Sequence, residues 1–508
     1  MTRTRRSALT LAVGVANTVA GVLVGLVVPP LLLRWLGDDR LGAYRVAMEY
    51  LGYIALLDFG LSGGLQAAFA AALGRGERAG VVAVAAAGAR AFARLALLVS
   101  ACVLGMAFAV PSLVTGLSAD LQTELMWGFL AYLIVVPALP LSAFRTLADA
   151  AQKGYYTQGA MIGQTIVGSL ATLGLAYLGA GLPGQFVAAA LAGTFATAIL
   201  AYIGLRTYPE VWAAMRAPGT VNVAVFSGAM FAFNLSGRVS LLSDSIIVGA
   251  ILGPAAVVRF TFTQKLAYLA QAQVLAVGNS TWAALADLHH SGERDRFNAR
   301  LVQLTRGVSL LGVSLLVPVA VWNQPFVSVW VGEARYGGAW LTWLTVAYLW
   351  LHGLFALWCW TIVGTGRVAK VLPLMLVAMV VNVAISIAGT AALGEVGPAA
   401  GSVANFLFVA NLWMPFLLRR EFGTPVRALA KATLVPLLPA IPFTVAWLLL
   451  AEAVPIADAD LPRPVRFAFL GATVASAAAT MFLVGAWLVL PAEERREWLT
   501  RLRLRRRP

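Results

Sequence analysis

Charge is the scarcest commodity in this chain. Only 12% of its 508 residues are Asp, Glu, Lys or Arg, where soluble proteins carry about 25%. That is too little to cover the roughly three soluble domains such a length would otherwise allow. Histidine (3) and cysteine (2) are nearly missing as well. Cys102 and Cys359 sit inside apolar segments, where a thiol behaves as a small hydrophobe, so neither a disulfide nor a metal site is expected. The chain has no glycine-rich phosphate loop followed by Lys-Ser/Thr, no zinc-ligand spacing and no Gly-x-Ser-x-Gly elbow. These absences argue against ATP-driven work within the chain, against a catalytic centre and against a cofactor. No loop is long enough to fold by itself, so the work must be done by helices and short turns.

What the chain does have is apolar sequence: 60% of residues are hydrophobic and the mean hydropathy is +0.83. Runs near the ~20 residues needed to span a bilayer recur from end to end. Fourteen candidate spans lie near 8–35, 41–73, 88–110, 123–145, 156–178, 184–204, 222–252, 255–286, 304–330, 338–364, 368–392, 398–418, 430–453 and 464–490. The expected class is an all-α polytopic membrane protein. The basic start, Met1–Arg6, resembles a secretory signal, but the apolar run continues from Ser7 to Leu33. A signal core has only ~7–15 residues, so this run is expected to be the first span.

Net charge is +15, and its placement excludes a nucleic-acid domain. With fourteen spans both termini share one side, and 28 of the 37 Lys and Arg fall there. The segment Pro111–Glu124 and the loop Gly179–Gly184, on the opposite side, have none. Basic loops mark the cytoplasmic face, so both termini are expected in the cytoplasm. The tail from Glu493 to Arg507 holds seven Arg and three Glu and is expected to rest on anionic lipid.

An internal repeat organises the spans. Shifting by 216 brings Leu36-Gly37 onto Leu252-Gly253, Ala67-Ala68 onto Ala283-Ala284, and Gly76-Glu77-Arg78 onto Gly292-Glu293-Arg294. A shift of 215 brings Leu178-Gly179 onto Leu393-Gly394 and Pro183 onto Pro398. Six spans per repeat keep both halves in one orientation, a parallel repeat about an axis along the membrane normal. The expected domains are a six-helix lobe at 1–210, a second at 211–422, an extra helix pair at 423–490 and a basic cytoplasmic tail at 491–508.

The segment from Pro30 to Tyr44 (PLLLRWLGDDRLGAY), continuing through Tyr53–Leu61 (YIALLDFGL), resembles the opening of the polysaccharide transporter (O-antigen flippase-like) family. This family belongs to the multidrug/oligosaccharidyl-lipid/polysaccharide exporter superfamily. Residues Ser243–Ala256 (SDSIIVGAILGPAA) are similar to its "Asp, apolar run, Leu-Gly-Pro" signature. The resemblance covers about 420 residues, both lobes. It implies a pair of lobes that alternates access and moves lipid-linked oligosaccharides between leaflets of a bacterial inner membrane. The extra helix pair departs from the commonest twelve-helix pattern.

Ionisable groups at membrane depth are costly and usually face a cavity or a partner. Span 7 carries Arg238 near its middle and Asp244 nearer the outer side; span 8 carries Arg259 and Lys265; span 2 carries Arg45, Glu49 and Asp58. Asn234, Arg238 and Ser245 share one helical face. Arg238 and Lys265, with Arg45 and Arg259, are candidates for capturing a diphosphate in a basic central cavity, a task suited to the bidentate guanidinium. The competing reading is structural: Arg238 paired with Asp244, Arg45 with Glu49 at i+4, and Arg259 snorkelling to the interface. Asp244, Glu49 and Asp58 are candidates for proton or sodium coupling or for ion pairing. Under the 216 shift Glu49 falls on Lys265. The aromatic run Trp340, Trp343, Tyr348, Trp350, Trp358 and Trp360 on span 10 suits either sugar stacking or packing. His289-His290 is poor ligand geometry, because adjacent helical side chains point ~100° apart.

The leading expectation is a flippase for polyprenyl-diphosphate oligosaccharides. Its rivals are an ion-coupled small-molecule exporter with the same fold, a lipid II flippase, and a membrane glycosyltransferase using Asp38 or Asp39. The last lacks a large outer loop. The lipid II reading ranks lower because span 2 has no Arg-rich motif of the kind that family carries.

Overall fold

The structure, a computed structural model, describes residues 3–58, 60–151, 153–217, 228–454, 461–492 and 494–495. Every regular element among them is helical. Eleven stretches are long and apolar enough to cross a membrane. Two of these, Ala12–Asp58 and Val368–Phe422, are double crossings, broken at Gly37 and at Gly394 respectively. The helix Pro254–His290 adds another. It misses the apolar criterion because Gln264, Lys265, Gln271, Gln273 and Asn279 interrupt it. Fourteen spans result, as the sequence predicts. Most of the tail falls outside the described residues, as does the start of the seventh predicted span.

The turns explain where the chain reverses. Gly37 (φ 79°) and Gly253 (φ 87°), Gly76 (φ 67°) and Gly292 (φ 77°), and Gly179 (φ 74°) and Gly394 (φ 65°) all adopt positive φ. These are the glycine pairs that anchor the repeat. A fourth pair at the same offset, Gly116 (φ 77°) and Gly332 (φ 100°), escaped the sequence comparison. A side chain at such angles costs of order 1–3 kcal/mol, so the repeat survives in sequence chiefly where the backbone requires glycine.

Three spans contain irregular backbone, one of them at prolines. Span 4 runs as Ala119–Tyr132, a 3-10 stretch Leu133–Ser142 containing Pro137 and Pro140, and Ala143–Ala150. Span 2 continues the helix Arg3–Gly52 beyond Gly37, tightens over Tyr53–Asp58 and finishes as Leu61–Gly74. Span 12 passes through a wide turn at Asn405–Ala410. Neighbouring helices make such breaks tolerable in lipid.

The chain forms two compact units, Met1–Val258 and Arg259–Pro508. Span 7 (Gly228–Leu252) thus belongs to the first unit, whereas the sequence repeat groups it with the second half. In the first unit the buried cluster joins Leu65, Phe69, Val84, Phe144, Leu147 and Ala201. In the second, the helix pair beyond the repeat packs along span 9 (Arg294–Val331). Val321, Trp322 and Val329 of span 9 meet Leu470 and Ala477, while Val313 and Val317 meet Ala440 and Met481. Gly485 lets Leu310 close in; a Cβ there would lie 2.7 Å from its Cδ1.

Candidate functional site

In the first unit, span 2 packs closely along span 7 and meets backbone at Pro254, where span 8 begins. A Cβ on Gly42 would stand 2.0 Å from the Pro254 carbonyl oxygen. One on Gly249 would stand 2.5 Å from Val46 Cγ2, and one on Gly52 2.8 Å from Leu242 Cδ1. Small residues allow this approach, which dispersion then rewards in a solvent offering no hydrophobic drive between helices. The seam is antiparallel, so the middle of span 2 meets the middle of span 7.

This register assembles the charged residues that the sequence singles out. Arg238 donates from Nη1 to the Gly52 carbonyl at 3.5 Å, a long contact. Its guanidinium is exposed and meets no carboxylate among the described residues. Asp244 is buried, 8% exposed. Tyr53 lies within electrostatic reach of both Glu49 and Asp244, and Glu49 feels Arg45 one turn away. The i,i+4 bridge expected between Arg45 and Glu49 does not close: Arg45 Nε is buried with no hydrogen-bond partner among the described residues, as is Ser243 Oγ. Asp58 is committed locally. Its carboxylate accepts from the Ser62 amide and hydroxyl at 3.2 Å, fixing the start of the Leu61–Gly74 helix.

The second unit holds the other two candidates, Arg259 and Lys265. Arg259 forks onto Glu395 in the turn between spans 11 and 12, its Nε donating at 2.6 Å and its Nη2 closing the pair. Lys265 is half-buried on span 8, next to a ladder of polar contacts. Asn323 donates to the Thr263 carbonyl at 2.8 Å and to the Thr342 hydroxyl at 2.9 Å. Gln264 donates to Thr345 at 3.2 Å. Tyr348 bonds Tyr268 at 2.6 Å, and Gln271 lies 2.7 Å from His352 Nδ1. This ladder ties spans 8, 9 and 10 together, a role that sequence reading missed. The signal was there: Gln264, Tyr268 and Gln271 recur at helical spacing on an otherwise apolar face.

Several tempting features are packing. Trp358 donates to Thr305 at 2.9 Å in the interior, and Tyr348 is spent on Tyr268. Trp340 is the most exposed ring of the span 10 run, at 76%. The His289 ring packs against Phe297, Phe422 and the His290 ring, which stands at 75° to it, as part of an aromatic cluster. Among the described residues, no three His, Cys, Asp or Glu converge as a metal site. The buried amide oxygens of Asn382 and Asn405 lack partners among the described residues, although Asn382 Nδ2 donates to Ser402 at 3.1 Å. Such oxygens could be met by water or an oxygen-preferring cation.

No protein-family model matches the chain, and no curated protein matches it in sequence. Solved structures do. A lipid II flippase, MurJ, in an inward closed conformation aligns over 95% of this chain and 98% of its own, with a TM-score of 0.66 at 12% identity. An inward-facing multidrug resistance transporter of the MATE family, in the MOP superfamily, aligns over 84% and 99%, with a TM-score of 0.58 at 17% identity. A eukaryotic MATE transporter aligns over 85% and 98%, with a TM-score of 0.56 at 12% identity. The chain therefore has the fold shared by these solved transporter structures.

Proposed function

We propose that this protein is an alternating-access transporter for an anionic, lipid-linked substrate, of the polyprenyl-diphosphate oligosaccharide class. It would act in a bacterial inner membrane with both termini in the cytoplasm. The observation that carries the reading is Arg238: a guanidinium in the middle of a span, exposed, with no carboxylate against it among the described residues. An Arg at that depth is costly against hydrocarbon, and one long bond to the Gly52 carbonyl leaves most of its donors for water or a ligand. A planar fork of donors suits a diphosphate. Arg45, whose buried Nε has no hydrogen-bond partner among the described residues, would add a second donor group, and Lys265 is a candidate cation within the second unit. Arg259, already forked by Glu395, drops to a supporting role.

The fold likeness to a lipid II flippase supports lipid-linked cargo as a class; which glycan is carried is left to experiment. The likeness to multidrug transporters supports a second reading, ion-coupled export of small molecules, with the buried Asp244 and its neighbour Glu49 as coupling carboxylates. A melting experiment separates the two, since a ligand that binds the folded state raises its stability. Polyprenyl diphosphate should raise the melting temperature of the detergent-solubilised protein, and the uncharged polyprenol should not. A shift with cationic drugs and none with the diphosphate would favour the exporter.

A further inference from the structure

We infer that His352 is a proton-operated latch between spans 8 and 10 of the second unit. Neutral, it holds span 8 to span 10 through Gln271; on taking up a proton it lets go. The latch rests on local geometry, and its consequence for transport rests on the reading above.

His352 lies near the middle of span 10 (Ala339–Gly364). It is the one histidine at membrane depth, since the other two end span 8 at 289 and 290. Histidine is the side chain that ordinarily changes charge between about pH 5 and 8, and an ionisable group inside a membrane marks a functional place by default. Gln271, 3% exposed, faces it from span 8. The Gln271 amide nitrogen stands 2.7 Å from His352 Nδ1 and donates to the Leu349 carbonyl at 3.4 Å. A carbonyl can only accept, so the Leu349 contact fixes which end of the amide points here. Nδ1 must then accept too, which puts the neutral ring's one proton on Nε2.

A proton added to the Nδ1 lone pair sets two donors face to face. Turning the Gln271 amide would offer its oxygen to the new N–H, but would also set that oxygen against the Leu349 oxygen. Protonation thus costs either the Leu349 bond or the contact between the two side chains. The surroundings can hold the charged ring. Phe406 lies 5.1 Å from it, centre to centre, at 33°, and an aromatic face attracts a cation. Phe406 belongs to the wide turn Asn405–Ala410 of span 12, a backbone form frequent at functional sites. Asn411, just past this turn, donates to the Leu351 carbonyl at 3.1 Å, so the turn is anchored to span 10 beside the histidine.

Few other charges share this depth of the second unit. Spans 9, 11, 12, 13 and 14 have no ionisable side chain at 307–331, 371–394, 397–418, 437–451 or 467–488. Span 10 adds Tyr348, which donates to Tyr268 of span 8, and the buried Cys359. Span 8 adds two cations: Arg259, forked onto Glu395, and Lys265. Lys265 lies less than two turns from Gln271 on one helix. Release of Gln271 therefore frees the stretch of span 8 that carries a candidate substrate cation.

The first test uses the full chain in liposomes, labelled at histidine with heavy nitrogen and read by solid-state NMR; the signal lost in His352→Gln assigns the ring. At about pH 8 Nδ1 should be bare and Nε2 protonated, and acidification to about pH 5 should protonate Nδ1. In Gln271→Leu both tautomers should appear at the higher pH. A proton on Nδ1 at the higher pH, or a ring that stays neutral throughout, would overturn the latch. The second test follows flipping of a fluorescent polyprenyl-diphosphate oligosaccharide with equal pH on both sides, so that no gradient contributes. The wild type should flip about fivefold faster at the lower pH, the shift one net hydrogen bond commands. His352→Gln can accept from Gln271 but cannot take up a proton, and Gln271→Leu has no bond to release. Both should lose the pH dependence yet keep the melting shift with polyprenyl diphosphate. Wild-type pH dependence in His352→Gln would also overturn the latch. A wild type that moves no substrate at either pH, with the NMR titration as expected, would count against the transport reading and leave the latch standing.

Discussion

Replacing Arg238 with Ala removes a guanidinium whose one hydrogen bond among the described residues is a 3.5 Å bond to the Gly52 carbonyl. A bond that long, on an exposed group, contributes little to folding; exposed substitutions of this kind usually change stability by under about 0.5 kcal/mol. A charge-assisted hydrogen bond to a diphosphate, by contrast, is worth about 1.5–3 kcal/mol, or roughly ten- to a hundredfold in affinity. The two costs differ several-fold, so function and stability should separate. The assay is concentration-dependent flipping of a fluorescent polyprenyl-diphosphate oligosaccharide in proteoliposomes, alongside melting curves of the same preparations. The Ala variant should melt like wild type but half-saturate at ten- to a hundredfold more substrate. Arg238→Lys keeps the charge without the fork and should fall between. An Ala variant with unchanged half-saturation would refute the ligand role. One whose melting temperature collapses in step with transport would show that Arg238 acts structurally.

Other outcomes follow from the packing. At the seam of spans 2 and 7, Gly42→Ala should destabilise most, because its Cβ meets backbone at 2.0 Å. Gly249→Ala should follow at about 1–3 kcal/mol of overpacking, and Gly52→Ala should cost least, since it meets only the flexible end of Leu242; an equal effect at all three in melting curves would dismiss the seam. Asn323→Leu removes two bonds from the polar ladder and should lower stability by about 1 kcal/mol at the ~0.6 kcal/mol typical of each such bond in a membrane; a neutral result would mean the ladder does not hold spans 8, 9 and 10 together. Arg259→Ala and Glu395→Ala should be non-additive in melting and nearly silent in transport; a tenfold loss of transport in Arg259→Ala with Glu395→Ala unaffected would return Arg259 to the substrate site.

The helical plan was legible because lipid imposes it: apolar runs of span length and basic loops on alternate sides follow from the medium. The repeat was legible at Gly37, Gly76, Gly179 and their partners because those positions need positive φ. Between the anchors, Leu, Ala and Val exchange freely and the repeat fades. The candidate charges could be enumerated, but their partners could not. Arg45 and Glu49 have ideal helical spacing, yet Arg45 Nε is without a partner among the described residues. Asp58 has a carboxylate at depth, yet it serves the helix that begins three residues later. Arg259 finds Glu395 only because a turn 136 residues away folds beside it. Hydroxyls and amides such as Thr263, Gln264 and Thr342 were passed over as background polarity, although they form the ladder within the second unit. Long-range pairing of this kind leaves no local trace in one sequence.

The most direct measurement is leaflet transfer by the unmodified protein. Liposomes with the fluorescent polyprenyl-diphosphate oligosaccharide in both leaflets are treated with a membrane-impermeant quencher, with and without the protein and with and without a proton or sodium gradient. The account predicts quenching beyond the outer-leaflet fraction only when the protein is present, lost in the Arg238→Ala/Lys265→Ala variant. Quenching confined to the outer-leaflet fraction, with folded protein and several glycans tried, would contradict it.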